Sequence, residues 1–289
     1  MKKTIEKFTE LLENFLNFHS YYVLPSGDSP ISLKFYNESR TKSKVRIKFT
    51  NLISRAKIEI LKKSDGLHVL IDTQYANLIL GKKISAKKYF TYLGLYFFHE
   101  LVHVQDQNIG EMRLVTHLRG EEDVWGQMLL LMYDFEADRK AIAGTKKFLA
   151  HILAEVDEVE LLKIQSESLC DFPSGTSHNK HSKKRKDIRL VANRLFYLAK
   201  RENFFERQLE TPENYFMVRW GRAFDPNHEF EFCLSLCGSS NELLGIANIN
   251  QRQLDILNSA SSEGDSASNK LKELDKVLLE ILDNLHLGK

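Results

Sequence analysis

Tyr96-Phe97-Phe98-His99-Glu100-Leu101-Val102-His103 places two histidines four residues apart in an otherwise apolar run, with one acid between them. Residues four apart on a helix project from one face, so both imidazoles can reach a single ion. Glu100 directly follows the first histidine and is angled beside that ion, where it can act as general base toward the attacking water rather than as a ligand. The flanks make the helix. Ser85 stands where an N-cap belongs, and Tyr89, Tyr92, Leu93, Tyr96 and Phe97 continue an apolar pattern that should run to about Gln107. The bland alternative is a core helix whose two histidines merely hydrogen-bond buried groups.

A catalytic zinc ion takes three protein ligands and keeps one position for water, so a further ligand must come from elsewhere in the chain. Glu121, Glu122 and Asp123 favour the positive end of a second helix, which carries Trp125, Met128, Leu129, Met132 and Phe135 and should reach Phe148. On it, Asp134 and Asp138 are four apart and share a face. That spacing suits one carboxylate as ligand and the other as acceptor for the outer ring N–H of a zinc histidine. Glu136 lies about 200° round from Asp134 at roughly 100° per residue. Asp134 is the expected third ligand, with Glu136 and His117 as the alternatives.

The two motifs resemble those of the gluzincins, zinc peptidases in which H-E-x-x-H on one helix is completed by an acidic ligand on a later helix. In the HtpX-type and ImmA/IrrE families the second motif reads E-x-x-A-D or E-x-x-A-N. Asp134, Ala137 and Asp138 fit that frame, with aspartate standing where those families have glutamate. The resemblance covers residues 85–148. It implies an α+β fold with a zincin-like catalytic domain: a small antiparallel sheet, the H-E-x-x-H helix and a second ligand helix. It also implies a zinc-dependent intracellular endopeptidase that uses metal-activated water on a specific protein or peptide substrate. A strand before the motif helix would align that substrate, for which 67–71 is the candidate. Tyr133, Arg119 or His117 could steady the oxyanion. A third histidine at His117 is also similar to the SprT-like proteases that act on DNA-attached proteins. The metzincin pattern fails, since Asp106 and Ile109 occupy its glycine and third-histidine positions. A non-catalytic regulatory protein on the same scaffold is the other rival, and intact Glu100 argues against it.

Around this centre the chain reads as helix-rich. Ile5, Phe8, Leu11, Leu12, Phe15 and Leu16 recur at helical spacing, and strands are expected at 44–52, 57–61 and 67–71, with Ser64-Asp65-Gly66 as a hairpin turn. The polar stretch 171–186, rich in lysine toward its end, reads as a linker or loop between a catalytic domain at 1–170 and a C-terminal α+β region at 187–289. That region is expected to be mostly helical, with strands at 215–220 and 229–236 and a terminal amphipathic helix on Leu271, Leu274, Val277, Leu278 and Ile281.

A net charge of +2 supplies no general pull toward nucleic acid or anionic lipid, and the basic run lacks aromatics for base stacking, so nucleic acid is not an expected partner. A regulatory protein partner is compatible with the loops. Three cysteines, Cys170, Cys233 and Cys237, lack a secreted disulfide spacing and fit a reducing cytoplasm. They are assigned no site role. No stretch approaches about 18 continuous apolar residues, so no membrane span is expected.

Overall fold

The computed structural model describes residues 2–18, 21–26, 29–34, 44–50, 58–63, 66–73, 85–105, 124–152, 156–171, 180–204, 215–221, 231–237, 243–260 and 267–287. The chain divides into two compact units. One comprises Met1–Val115, Met132–Gln165 and Ser174–Thr176, and the other Thr116–Leu131, Ser166–Pro173 and Ser177–Lys289. Helices and strands are combined throughout, so the fold is α+β.

The first unit opens with α1 (Lys2–Phe18), then a hairpin of β1 (Tyr21–Ser26) and β2 (Ser29–Lys34), then β3 (Lys44–Thr50), β4 (Ile58–Lys63) and β5 (Gly66–Asp72). It continues with α2 (Ala86–Gln105), most of α3 (Val124–Ile152) and the first half of α4 (Glu158–Asp171). The α1 periodicity is realised in packing: Phe8, Leu12 and Phe15 are buried, and the two phenylalanine rings meet those of α2 and α3. Phe8 stands edge-on to Phe148 at 5.9 Å, and Phe15 lies 5.4 Å from Phe148 and 6.5 Å from Phe98. Offset and edge-on pairs of this kind add to burial itself. The aromatic cluster therefore fastens the two helices that carry the site.

The three-stranded sheet has the order β3-β5-β4, and it is mixed rather than the antiparallel sheet expected. Strands β4 and β5 form the antiparallel hairpin, with Lys63 opposite Gly66, whereas β3 runs parallel to β5, with Val45 opposite Leu67. The reason is geometric. Only two residues separate β4 from β5, which favours antiparallel pairing of the two, and β3 pairs on the other side of β5. The expected substrate strand, 67–71, is thus the central strand, with both edges already hydrogen-bonded. On the β3 edge Ile47 N–H donates to Glu13 Oε1 of α1 at 2.9 Å. The other edge is β4, which packs against α2.

The second unit contains α5 (Lys180–Arg201), α6 (Gln251–Asn258), α7 (Ala267–Asp283) and an antiparallel sheet β6-β7-β8-β9, formed by Tyr215–Gly221, Glu231–Cys237, Leu243–Ala247 and Leu285–Leu287. Leu271, Leu274, Val277, Leu278 and Ile281 are buried, as their spacing required. Arg194 of α5 is buried and grips Asp275 of α7 through Nε at 2.5 Å and Nη2 at 2.7 Å, with Nη1 donating to Ser166 Oγ at 3.0 Å. Its guanidinium lies 4.4 Å from the Tyr197 ring centre. Residues 180–186, expected within a linker or loop, form the first turns of α5. Lysine and arginine are good helix formers, and Ile188, Val191, Leu195 and Leu198 bury the helix that these turns extend. Among the described residues no helix is long and apolar enough to cross a membrane.

Candidate metal centre

Helix α2 begins as its sequence demands. Ser85 Oγ accepts from Lys88 N–H at 3.2 Å and Ser85 O from Tyr89 N–H at 2.9 Å, so side chain and backbone together satisfy the first turn. Tyr89, Phe90, Leu93, Phe97, Phe98 and Leu101 are buried, which fixes the rotation of the helix about its axis. That rotation, with the four-residue spacing, sends His99 and His103 the same way. Their ring centres lie 4.6 Å apart and their Nε2 atoms 3.0 Å apart.

Helix α3 brings the carboxylates. Asp134 Oδ1 lies 3.3 Å from His103 Nε2 and 3.9 Å from His99 Nε2, while Asp138 Oδ1 accepts from His99 Nδ1 at 2.9 Å. His99 is 5% exposed and Asp138 1%. On α2 the contacts ascend from His99 to His103 while on α3 they descend from Asp138 to Asp134, so the helices run antiparallel past each other. Gly94 explains how closely they can lie. A Cβ placed there would come within 3.0 Å of Thr145 Cγ2, and a side chain on α2 at that point would hold α3 away.

His99, His103 and Asp134 form a group that could hold a metal ion. Their geometry tests the fit. The separations of 3.0, 3.3 and 3.9 Å bracket the edge of about 3.3 Å expected for a tetrahedron with bonds of about 2.0–2.1 Å. A point equidistant from the three atoms lies about 2.0 Å from each, within the range of zinc–nitrogen and zinc–carboxylate bonds. Tautomer chemistry agrees. With Nδ1–H given to Asp138, the lone pair of His99 is on Nε2, the atom that belongs to the candidate ligand group, as in the carboxylate–histidine arrangement that orients metal ligands. His103 Nδ1 is buried and has no hydrogen-bond partner among the described residues. A neutral His103 could also place its proton on Nε2 and give it to His99 Nε2 or to Asp134 Oδ1. Two carboxylates, Asp134 and Asp138, match the charge of one divalent cation.

A residue that sequence reasoning missed completes the surroundings. Gln165 of α4 is 4% exposed and donates through Nε2 to Asp138 Oδ1 at 2.7 Å. The sequence carried a signal for its helix: Asp157 caps α4, accepting from Val159 N–H at 2.9 Å, and Glu158 and Glu160 occupy the first turn. The pairs Lys146–Glu158, at 2.9 Å, and Lys87–Glu160, at 3.1 Å, link α4 to α3 and α2. Both are exposed and worth about 0–1 kcal/mol each, so they orient more than they stabilise. Glu100 is half-buried on α2 beside His99. His117, Arg119 and the side chains of Tyr133 and Glu136 lie outside the described residues. No protein-family model, curated protein or solved structure matches the chain.

Proposed function

We propose that this chain is a zinc-dependent peptidase that hydrolyses a peptide bond in a specific protein substrate. The observation that carries the reading is the convergence of His99 Nε2, His103 Nε2 and Asp134 Oδ1 on a point at zinc-bond distance, with Asp138 behind His99. Such an ion, when bound, polarises a carbonyl and lowers the pKa of water to about 7. Glu100, one residue from His99 and outside the ligand set, is the general base that takes the proton from water and delivers it to the leaving amine. His99, held as the Nδ1–H tautomer, keeps its lone pair available throughout.

The sheet supports an extended peptide as substrate. Strand β4 is the edge that lies against α2, and Leu61 on it is 40% exposed, so a peptide adding to β4 would find backbone partners and an apolar contact. This moves the substrate strand from β5 to β4. The cysteine spacing and the small net charge favour a cytoplasmic enzyme acting on protein rather than on nucleic acid or membrane.

The test is a comparison of new protein N-termini in cells producing the native chain or Glu100→Gln. The amide keeps the shape of the side chain but cannot accept the proton, so cleavage should disappear while metal content and fold persist. Identical sets of N-termini from the two chains would contradict the proposed activity.

A further inference from the structure

A buried polar chain in the first unit runs from α4 to the candidate metal ligands. Gln165 Nε2 donates to Asp138 Oδ1 at 2.7 Å, and the same oxygen accepts from His99 Nδ1 at 2.9 Å. The three residues are 4%, 1% and 5% exposed, so water does not readily substitute for any of them. The convergence on one oxygen matters because the terminal torsion of an aspartate is broad and nearly two-fold. A turn of the carboxylate about that torsion would carry the imidazole with it. A second donor from a different helix fixes its plane.

Residue type matters as well as position. A lysine or arginine behind Asp138 would add a cation close to the ion and withdraw the carboxylate's charge from His99. A glutamate would set a second carboxylate against the first. The glutamine amide donates without charge, leaving the negative field of Asp138 directed at His99.

We infer that Gln165 is a positioning residue: it orients Asp138, and through Asp138 it holds His99 as the Nδ1–H tautomer whose Nε2 faces the metal. The inference rests on the metal-centre reading above and adds to it a residue on a helix outside both sequence motifs. It also states by what route that residue acts. If the effect passes through Asp138, replacing Gln165 must matter only while Asp138 is present.

The experiment is a zinc titration of the full chain against a competing chelator, with the visible spectrum of the cobalt-substituted protein as a second readout. The variants are Gln165→Met, Asp138→Ala and the pair together, each checked for fold by circular dichroism. Removing an outer partner of a metal ligand typically weakens binding by about 10–100-fold, so Asp138→Ala should fall in that range and Gln165→Met, one bond further out, near its lower end at about tenfold. In the Asp138→Ala background Gln165→Met should change affinity less than about twofold, giving a clear non-additivity. The cobalt spectrum should shift in Gln165→Met and not shift further in the pair. Gln165→Met within about twofold of the native chain, or a tenfold loss that persists without Asp138, would overturn the inference. Should Gln165→Met fail to fold, Gln165→Glu preserves length while removing the donor, and native-like affinity in that variant overturns the inference equally. A native chain that takes up no zinc sinks the metal-centre reading itself. Native zinc binding indifferent to Gln165 sinks the inference alone.

Discussion

Gly94→Ala tests whether the close approach of α2 and α3 is what brings Asp134 within reach of His99 and His103. The added Cβ would lie 3.0 Å from Thr145 Cγ2 and 3.4 Å from Thr145 Oγ1, and Thr145 is itself fully buried. A 3.0 Å approach is tighter than ordinary carbon contact, so α2 and α3 must give by a few tenths of an ångström or Thr145 must leave its rotamer. Alanine improves the helix by about 1 kcal/mol over glycine, whereas overpacking a buried contact costs about 1–3 kcal/mol. The expected net effect is a loss of about 0–2 kcal/mol. The candidate metal site is less forgiving, because ligand distances must hold within about 0.2 Å. A helix shift of a few tenths of an ångström should therefore weaken zinc by about tenfold, a size typical of misplaced ligand surroundings. Asp134→Glu lengthens the ligand by one C–C bond, about 1.5 Å, and should weaken zinc in the native chain yet improve it in Gly94→Ala. Chelator-competition titrations and urea unfolding of the four chains provide the measurement. A Gly94→Ala chain stabilised by about 1 kcal/mol with native zinc affinity would show that Thr145 simply yields, refuting the argument that close helix approach is what brings Asp134 within reach.

Two further outcomes follow from buried polar groups. Arg194→Ala should destabilise the second unit by about 3–5 kcal/mol in urea unfolding, since it takes the guanidinium away from the largely buried Asp275 carboxylate. A loss under about 1 kcal/mol would mean that the pair is solvated. Tyr89→Phe should leave stability unchanged or raise it by about 1 kcal/mol, because the buried hydroxyl has no hydrogen-bond partner among the described residues and burial pushes its pKa well above the usual phenol range. A drop of more than about 1 kcal/mol in thermal or urea unfolding would reveal a bond that the hydroxyl makes.

The parts of this protein legible in its sequence are those governed by short-range periodicity. Ser85, the apolar pattern from Tyr89 to Phe97 and the His99–His103 spacing are all local, and a helix converts them into a defined face. Asp134 and Asp138 were readable for the same reason, and the structure puts Asp134 beside His99 and His103 and Asp138 behind His99. The order β3-β5-β4 was not readable, because strand pairing is non-local and three short apolar segments fit several orders equally well. Gln165 was invisible for a different reason: a lone glutamine in an acidic, amphipathic segment has no signature until α4 is folded against α3. Gly94 likewise looks like a weak point in a helix until Thr145 stands opposite it.

The central claim concerns one ion on three side chains, and zinc stoichiometry tests it most directly. Elemental analysis of the purified, folded chain after dialysis should give about one zinc per molecule, and the His99→Ala/His103→Ala chain, folded by circular dichroism, should retain almost none. A native chain that holds no zinc after exposure to it, or a double variant that holds as much as the native chain, would contradict the account.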